Sequence, residues 1–403
     1  MTTLRAEVAI VGGGIVGATL ALLLAQRARI DATRIVVIEP APVAPPSAGS
    51  PFGLRVSAIS PGNRALLAEL GVWPLLDAGR IANYERMLVW HESVPPDSPD
   101  VLCFDAAEAG EADLGSIVEN NALQAQLLRR CGEQGIRVLG ETLRALQVDA
   151  DAARLDLGGT QLVAELVVGA DGAASAVRAL LGMPAENRDY GQRAIVATIR
   201  GERPHQYTAW QRFLSTGPLA LLPLPGNECS IVWSAVNARA DGLLALSPAQ
   251  FETELTAASA GVLGKLQLTS ERAAFPLRRL AAQEYVRPRA VLVGDAAHVI
   301  HPLAGQGVNQ GLEDVVALAA ALAQRPARES AGAQMALQRY ARERRTGNAL
   351  AAATVDALDL LFTDSTALRT WAAREGMALV GRSALARRFL VRRAAAGRSW
   401  PQR

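Results

Sequence analysis

The chain opens on a short apolar run, Val8 to Val11, that passes without alternation into three glycines and then into the long apolar stretch IVGATLALLLAQRA. A continuous apolar run closed by glycine reads as a strand buried on both faces, and the stretch after it reads as a helix. The same order recurs twice. ELVVGADGAASAVRALLG (Glu165 to Gly182) is a buried strand running into a Gly turn and a helix. In VLVGDAAHVIHPLAGQGVNQGLEDVVAL (Val291 to Leu318), Val291 to Val293 read as strand, and a helix starts near Asn309. RIVVIEP adds a further strand after the first helix. FLSTGPLALLPLP and CSIVWSA, between the second and third units, read as apolar strands. Two segments break the pattern, APVAPPSAGSPFG (Ala41 to Gly53) and SVPPDSPD (Ser93 to Asp100), and both read as irregular. There is no internal repeat and no low-complexity linker.

A chain of 403 residues suggests two joined domains rather than one simple core. Half of its residues are apolar and 20% are charged, as in ordinary globular proteins. The net charge of +2 gives no global field that would favour nucleic acid. Cys103, Cys131 and Cys229 are widely spaced, without a CxxC pair, and read as reduced thiols of a cytoplasmic protein. No apolar run reaches the ~20 residues that span a bilayer, and the N-terminus lacks the pattern of a signal peptide. Charge is uneven only at the end. Thr366 to Arg403 hold nine Arg and one Glu, a net +8 within a whole-chain +2, so the remainder carries −6. That segment reads either as a solvated Arg-rich helix or as a surface for anionic lipid or an acidic partner.

Gly12, Gly14 and Gly17 fit GxGxxG at a strand-to-helix turn. The first permits the turn, the second lets the backbone approach a pyrophosphate, and the third lets the helix pack closely. The helix start offers free N–H groups to phosphate. Glu39 closes the next strand, where an acid binds a ribose hydroxyl pair and favours FAD or NAD over NADP. Asp171 sits at the end of the second unit's strand, either as a simple helix cap or as a site residue. Asp295, at the third strand's end, is placed to accept hydrogen bonds from a polyol such as a ribityl chain. Gly305 and Gly307 leave room for a flat ring against the backbone. His298 and His301 are three apart, but no Cys or carboxylate cluster accompanies them, so orienting or packing roles are expected rather than a metal site. No GxSxG elbow supports a serine hydrolase.

With these three motifs in order, the chain resembles the class A flavin-dependent aromatic monooxygenases of the para-hydroxybenzoate hydroxylase fold. Within them it is most similar to the 2-polyprenylphenol hydroxylases of ubiquinone biosynthesis. GADGAASAVR (Gly169 to Arg178) and GDAAHVIHPLAGQGVN (Gly294 to Asn309) carry the likeness, and RVSAISPGNRALLAELGVW and LGSIVENNALQAQLL extend it along the chain. One position departs from the pattern: Gly53 stands where the family often has an Asp, two residues before the Arg matched by Arg55. The resemblance implies an α/β fold, with a Rossmann-like FAD-binding domain (1–75, 110–182, 276–345), an inserted, mostly antiparallel β-sheet substrate domain (76–109, 183–275) and C-terminal helices (346–403). Together, the residue reading and the resemblance give a cofactor-binding set of Gly12, Gly14, Gly17, Glu39, Arg55, Asn120, Asp171, Gly294, Asp295, Pro302, Gly305, Gly307, Val308 and Asn309. The implied chemistry uses FAD, with NADPH or NADH as transient reductant, and passes an OH from O2, activated at flavin C4a, to an electron-rich ring. The implied substrate is a polyprenylated phenol or quinol, delivered at the inner membrane or within a biosynthetic complex through the basic C-terminus. No residue stands out as a base for the substrate. Two alternatives stay open: a reductase or dehydrogenase of the same fold acting on a prenyl lipid, and a non-catalytic FAD-binding scaffold.

Overall fold

A computed structural model of the chain describes residues 2–47, 49–299, 307–326, 328–363, 383, 387–388 and 390–392. Its first layer is an eight-stranded sheet. The parallel part runs in the order Ala290–Leu292, Thr160–Gly169, Thr2–Val11, Ile35–Ile38 and Arg137–Leu139. Antiparallel strands Ala145–Val148 and Ala153–Asp156 extend it beside the first half of Thr160–Gly169. The apolar runs of the sequence become its central strands: Val8, Ala9 and Ile10 are fully buried, as are Leu166, Val167 and Val168. Helix Ile15–Gln26 is apolar on nearly every side because it is enclosed. It packs between the sheet and helices Asn120–Glu133 and Gly307–Ala323.

The second layer is a nine-stranded sheet, antiparallel except where Arg86–His91 runs parallel to Thr208–Leu214. Its long central strand, Ala185–Gly201, pairs with Glu228–Val236 on one side and Ala273–Ala282 on the other. One face is covered by helices Asn237–Ala245 and Pro248–Ala258. There Ile195, Ile199, Ile231, Trp233 and Phe251 form a second core. The opposite face meets a small three-stranded sheet, Val56–Ile59, Ile81–Tyr84 and Gly115–Glu119. At that junction Leu222 and Leu224 pack with Ala58, Ala82 and Ile117. Sheet membership does not follow the sequence-drawn limits at 75/76 and 275/276. Ile81–Tyr84 pairs with the small sheet, and Ala273–Ala282 stays in the large one throughout.

The last described helix, Gln334–Thr363, starts well before Thr346, the point at which the sequence placed the onset of the C-terminal helices. Of the basic C-terminal segment, Arg387 pairs with Glu108 at 2.9 Å and Arg392 donates to the Ala109 carbonyl, while Val391 is buried. Among the described residues no helix is long and apolar enough to cross a membrane.

Candidate functional site

Register brings four strand ends into one row. Val11 lies between Ile38 and Gly169, and Gly169 lies beside Leu292. The residues that follow each end therefore meet in one crevice, where ligands bind in open α/β sheets. The crevice has a volume of about 470 Å³ and is lined by Gly12, Gly14, Glu39, Arg55, Asn120, Asp171, Asp295, Gly307 and Val308. That volume lies within the range of small-molecule sites, ~300–1,000 Å³.

The glycines divide into structural and ligand-facing positions. Gly12 has φ +103°, and a Cβ there would fall 2.3 Å from the Ala170 carbonyl oxygen. A Cβ on Gly17 would fall 1.9 Å from the Gly12 carbonyl oxygen, so this glycine lets the helix sit against the turn. At Gly14 a Cβ would meet nothing within 4 Å, because it points into the crevice. Gly14 is the N-cap of helix Ile15–Gln26 and offers no side-chain cap. The first-turn N–H groups are thus left for a ligand. Glu39 holds the loop in shape, its Oε2 accepting from Gly13 N–H at 2.8 Å and its Oε1 from Ala41 N–H at 3.1 Å. Each oxygen keeps a lone pair for a hydroxyl.

Asp171 caps the turn and also lines the crevice. Its Oδ2 accepts from Val177 N–H at 3.2 Å, while Ser175 caps helix Ala176–Leu180. Its Oδ1 is buried and has no hydrogen-bond partner among the described residues, and the residue lines the crevice, which fits a polar ligand group there. Asp295 faces crevice solvent but sits deep among protein atoms. That burial pushes its carboxyl above the usual range, and His298 and Arg55 offset the rise only in part. Arg178 braces this side, donating to the Ala296 carbonyl at 2.8 Å and to the Ala173 carbonyl at 2.6 Å.

Three expected cofactor residues stand behind the wall instead. Gly17 and Gly294 do not line the crevice, and neither does the Asn309 side chain. Asn309 Oδ1 accepts from Ser60 N–H at 3.0 Å and Asn63 Nδ2 at 2.9 Å, and its Nδ2 donates to the Ala58 carbonyl at 2.7 Å. It fastens the start of helix Gly307–Ala323 to the small sheet. Pro302, Gly305 and His301 lie outside the described residues.

The structure adds residues that the sequence reading missed. Asn121, Gln124, Glu141, Thr142 and Leu143 line the crevice near Glu39. Behind the Gly294–Ala296 turn lies a buried polar hub. Asp314, fully buried, accepts from Gly294 N–H at 2.9 Å, His298 Nε2 at 2.5 Å, Arg344 Nε at 2.6 Å and Asn348 Nδ2 at 3.3 Å. Arg344 also donates to Glu313 at 2.9 Å and Asn348 Oδ1 at 2.8 Å, tying the last helix to the same point. His298 thus has an orienting partner, Asp314, and stacks on Tyr285 at 6.1 Å. One signal was available in the sequence: Asp314 is a carboxylate beside the apolar run Val315 to Leu322. Among the described residues no cluster of three or more His, Cys, Asp or Glu is grouped to hold a metal.

The combination fits a dinucleotide: an uncapped helix start beside an open Gly14, an acid at the ribose position, and two crevice carboxylates placed for hydroxyl groups. Comparison with known proteins agrees. A family model described as "FAD binding domain" matches residues 122–356. Ubiquinone hydroxylase UbiL of Rhodospirillum rubrum is 39% identical, covering 96% of this chain and 89% of that protein. The 3-demethoxyubiquinol 3-hydroxylase of Escherichia coli is 41% identical over 79% of this chain and 80% of its own length. Mouse ubiquinone biosynthesis monooxygenase COQ6 is 32% identical over 91% and 86%. Among solved structures, p-nitrophenol 4-monooxygenase PnpA of Pseudomonas putida superposes with a TM-score of 0.75 at 18% identity, covering 99% of this chain and all of that one, which shows the shared fold. The crevice and these relatives together place the chain in the FAD-binding-domain family, among the flavin-dependent hydroxylases whose curated members are named for ubiquinone biosynthesis.

Proposed function

We propose that the protein uses NADH or NADPH and O2 to hydroxylate the ring of a polyprenylated phenol or quinol in ubiquinone biosynthesis. The observation that supports this reading is the row of strand ends, which brings Gly14, Glu39, Asp171 and Asp295 to one crevice in a chain related to ubiquinone hydroxylases along most of its length. FAD, when bound, supplies hydride acceptance and oxygen activation. The chain's own residues do the rest. The N–H groups after Gly14 take the pyrophosphate, Glu39 takes ribose hydroxyls, and Asp295 accepts from the ribityl chain. The start of helix Gly307–Ala323 places positive dipole density where negative charge gathers on the reduced ring. Asn309 holds that helix start rigid through three hydrogen bonds to residues 58–63. Toward the nine-stranded sheet, the Leu222–Ala58 junction supplies an apolar wall that keeps water from the reacting ring.

A polyprenyl substrate needs delivery from a membrane or a carrier. The basic C-terminus is our candidate surface, and two of its cations are already engaged, Arg387 on Glu108 and Arg392 on the Ala109 carbonyl.

The test is direct. Purified protein with FAD, NAD(P)H and a prenylated phenol is expected to consume reductant faster with the phenol present, and to place labelled oxygen from O2 in the product. Substrate-stimulated oxidation of NAD(P)H without label in the product assigns a reductase instead. A deletion strain that makes ubiquinone normally, with no redundant hydroxylase and no deoxy or demethoxy intermediate, removes the ubiquinone assignment.

A further inference from the structure

Residues 50–55 lead to the crevice at Arg55 and belong to no helix or strand. They are nevertheless fastened at four consecutive points. Arg80 Nη1 donates to the Ser50 carbonyl at 2.8 Å and its Nη2 to the Pro51 carbonyl at 3.1 Å. The same guanidinium lies 4.6 Å from the centre of the Phe52 ring. Gly53 N–H donates to Glu119 Oε1 at 2.6 Å. Arg80 and Glu119 are joined by a two-pronged ion pair, Nε to Oε2 at 2.6 Å and Nη2 to Oε1 at 2.9 Å, and the Glu119 side chain is only 3% exposed. Such a planar fork fixes orientation as well as charge.

Neither member of this pair lines the crevice, but the segments they hold lead directly into residues that do. Arg55 follows Gly53 by two positions, and Asn120 follows Glu119 directly. The two are tied to each other: Asn120 N–H donates to the Arg55 carbonyl at 3.0 Å, and Ser57 Oγ donates to Asn120 Oδ1 at 2.7 Å. The Arg55 guanidinium is exposed in the crevice and makes no hydrogen bond or ion pair among the described residues. Its position is thus set by the backbone that carries it. Gly53 matters for the same reason, because a Cβ there would lie 3.2 Å from Glu119 Oε1 and bring any acidic side chain against a buried carboxylate.

We infer that Arg80 and Glu119 are a positioning pair for the cofactor: by clamping residues 50–53 they aim the Arg55 guanidinium and the Asn120 amide into the crevice. The inference rests on the FAD reading of that crevice. Arg55 supplies the cation toward an anionic cofactor, and Arg80 acts only through it and Asn120. The pair takes the place of local secondary structure in a segment rich in Pro and Gly, which has no ladder of its own to hold it.

The experiment measures FAD affinity by titrating flavin-depleted full-length protein, with thermal melting of the same preparations as control. Arg80→Lys keeps the charge and loses the fork. It is expected to weaken FAD binding on the order of tenfold and, because the lost hydrogen bonds lie within the protein, to lower the apo melting temperature as well, so a double-variant background separates positioning from general destabilisation. Gly53→Asp is expected to weaken binding similarly. In an Arg55→Ala/Asn120→Ala background both substitutions are expected to have no further effect on affinity, because the groups they position are gone. Full additivity in that background overturns the proposal, since the pair would then act by another route. So does unchanged FAD affinity in Arg80→Lys when Arg55→Ala alone weakens binding. Unchanged affinity in Arg55→Ala/Asn120→Ala itself shows that this wall does not touch FAD and overturns the proposal, whereas failure of the unsubstituted protein to bind FAD at all removes the underlying reading of the site.

Discussion

His298 Nε2 and Asp314 Oδ2 lie 2.5 Å apart, and the same Asp314 oxygen accepts the Gly294 N–H at 2.9 Å. One buried carboxylate thus grips both ends of the turn that presents Asp295 to the cofactor crevice. Burial by itself would push the Asp314 carboxyl up, but His298 and Arg344 override it and hold the group at about 2. The turn is therefore set by a charged hub, and the hub's integrity has measurable consequences.

Asp314→Asn should destabilise the protein by about 3–5 kcal/mol, because Arg344 and His298 lose a buried partner charge. The acid side carries the sign. A carboxyl held below its unfolded value contributes stability that is complete above the ordinary carboxylate range and is lost as pH falls toward 2. For the wild type that contribution is about 2 kcal/mol. Denaturant melts between neutral pH and pH 3 should show the variant less stable at neutrality and less sensitive to acid. Parallel curves for the two proteins would show that the hub carries no net charge linkage.

Asp295 behaves in the opposite sense. Burial raises its carboxyl, so it takes up a proton at a higher pH than an exposed Asp. The ionised form is the better hydrogen-bond acceptor. FAD affinity should therefore be full above that raised value and fall as pH drops through it. Asp295→Asn is expected to bind FAD more weakly at neutral pH and to flatten this dependence. Flavin fluorescence titrations across mildly acidic pH test it, and an unaltered pH profile in the variant excludes Asp295 as the responsive group.

Gly14→Ala and Gly17→Ala separate ligand space from packing. The first adds a methyl in open crevice and should leave the apo melting temperature nearly unchanged while lowering FAD occupancy. The second drives a Cβ onto the Gly12 carbonyl and should lower stability by about 1–3 kcal/mol, as overpacked sites do. Melting of FAD-free protein distinguishes them, and a destabilised Gly14→Ala with normal flavin content contradicts the assignment.

The thiols should be nearly inert. Burial pushes Cys131 and Cys229 up to about 12 and also raises Cys103. The reactive thiolate is scarce at neutral pH in all three. A chromogenic thiol reagent at pH 8 should label native protein slowly, with Cys103 first, and all three quickly after denaturation.

Much of this arrangement was legible in the sequence, for a physical reason. Parallel strands buried on both faces must be continuous apolar runs, and turns at their carboxyl ends need glycine or a capping acid, so Val8–Val11, Leu166–Gly169 and Val291–Leu292 announced themselves together with their turns. Long-range pairing leaves no such mark. Arg80 and Glu119 are separated by 39 residues, and Arg344 reads as one more charge in the run ARERR. Asn309 was read from the motif as a cofactor-binding position, and the sequence did not show that its side chain braces the helix start, because motif position fixes the backbone but not where an amide side chain finds its partners. The onset of the last helix at Gln334 was missed because ordinary amphipathic spacing carries no motif. Of the five added crevice residues, Asn121 and Gln124 lie in the first turns of helix Asn120–Glu133, and Glu141 to Leu143 follow strand Arg137–Leu139 after the lone Gly140, which forms no motif with its neighbours.

The row formed by Ile38, Val11, Gly169 and Leu292 also dictates when the crevice can exist. Its members are spread from position 11 to position 292 of the 403, and the floor is missing a plank until the last of them has left the ribosome. During synthesis the first turn, with its open Gly14, waits as a half-site with nothing across from it. Parallel pairing over such sequence separation is slow to nucleate, so the nascent chain must remain unaggregated through that interval. The crevice is therefore a product of long-range pairing, and no fragment that ends before Leu292 can carry all four of its strand ends.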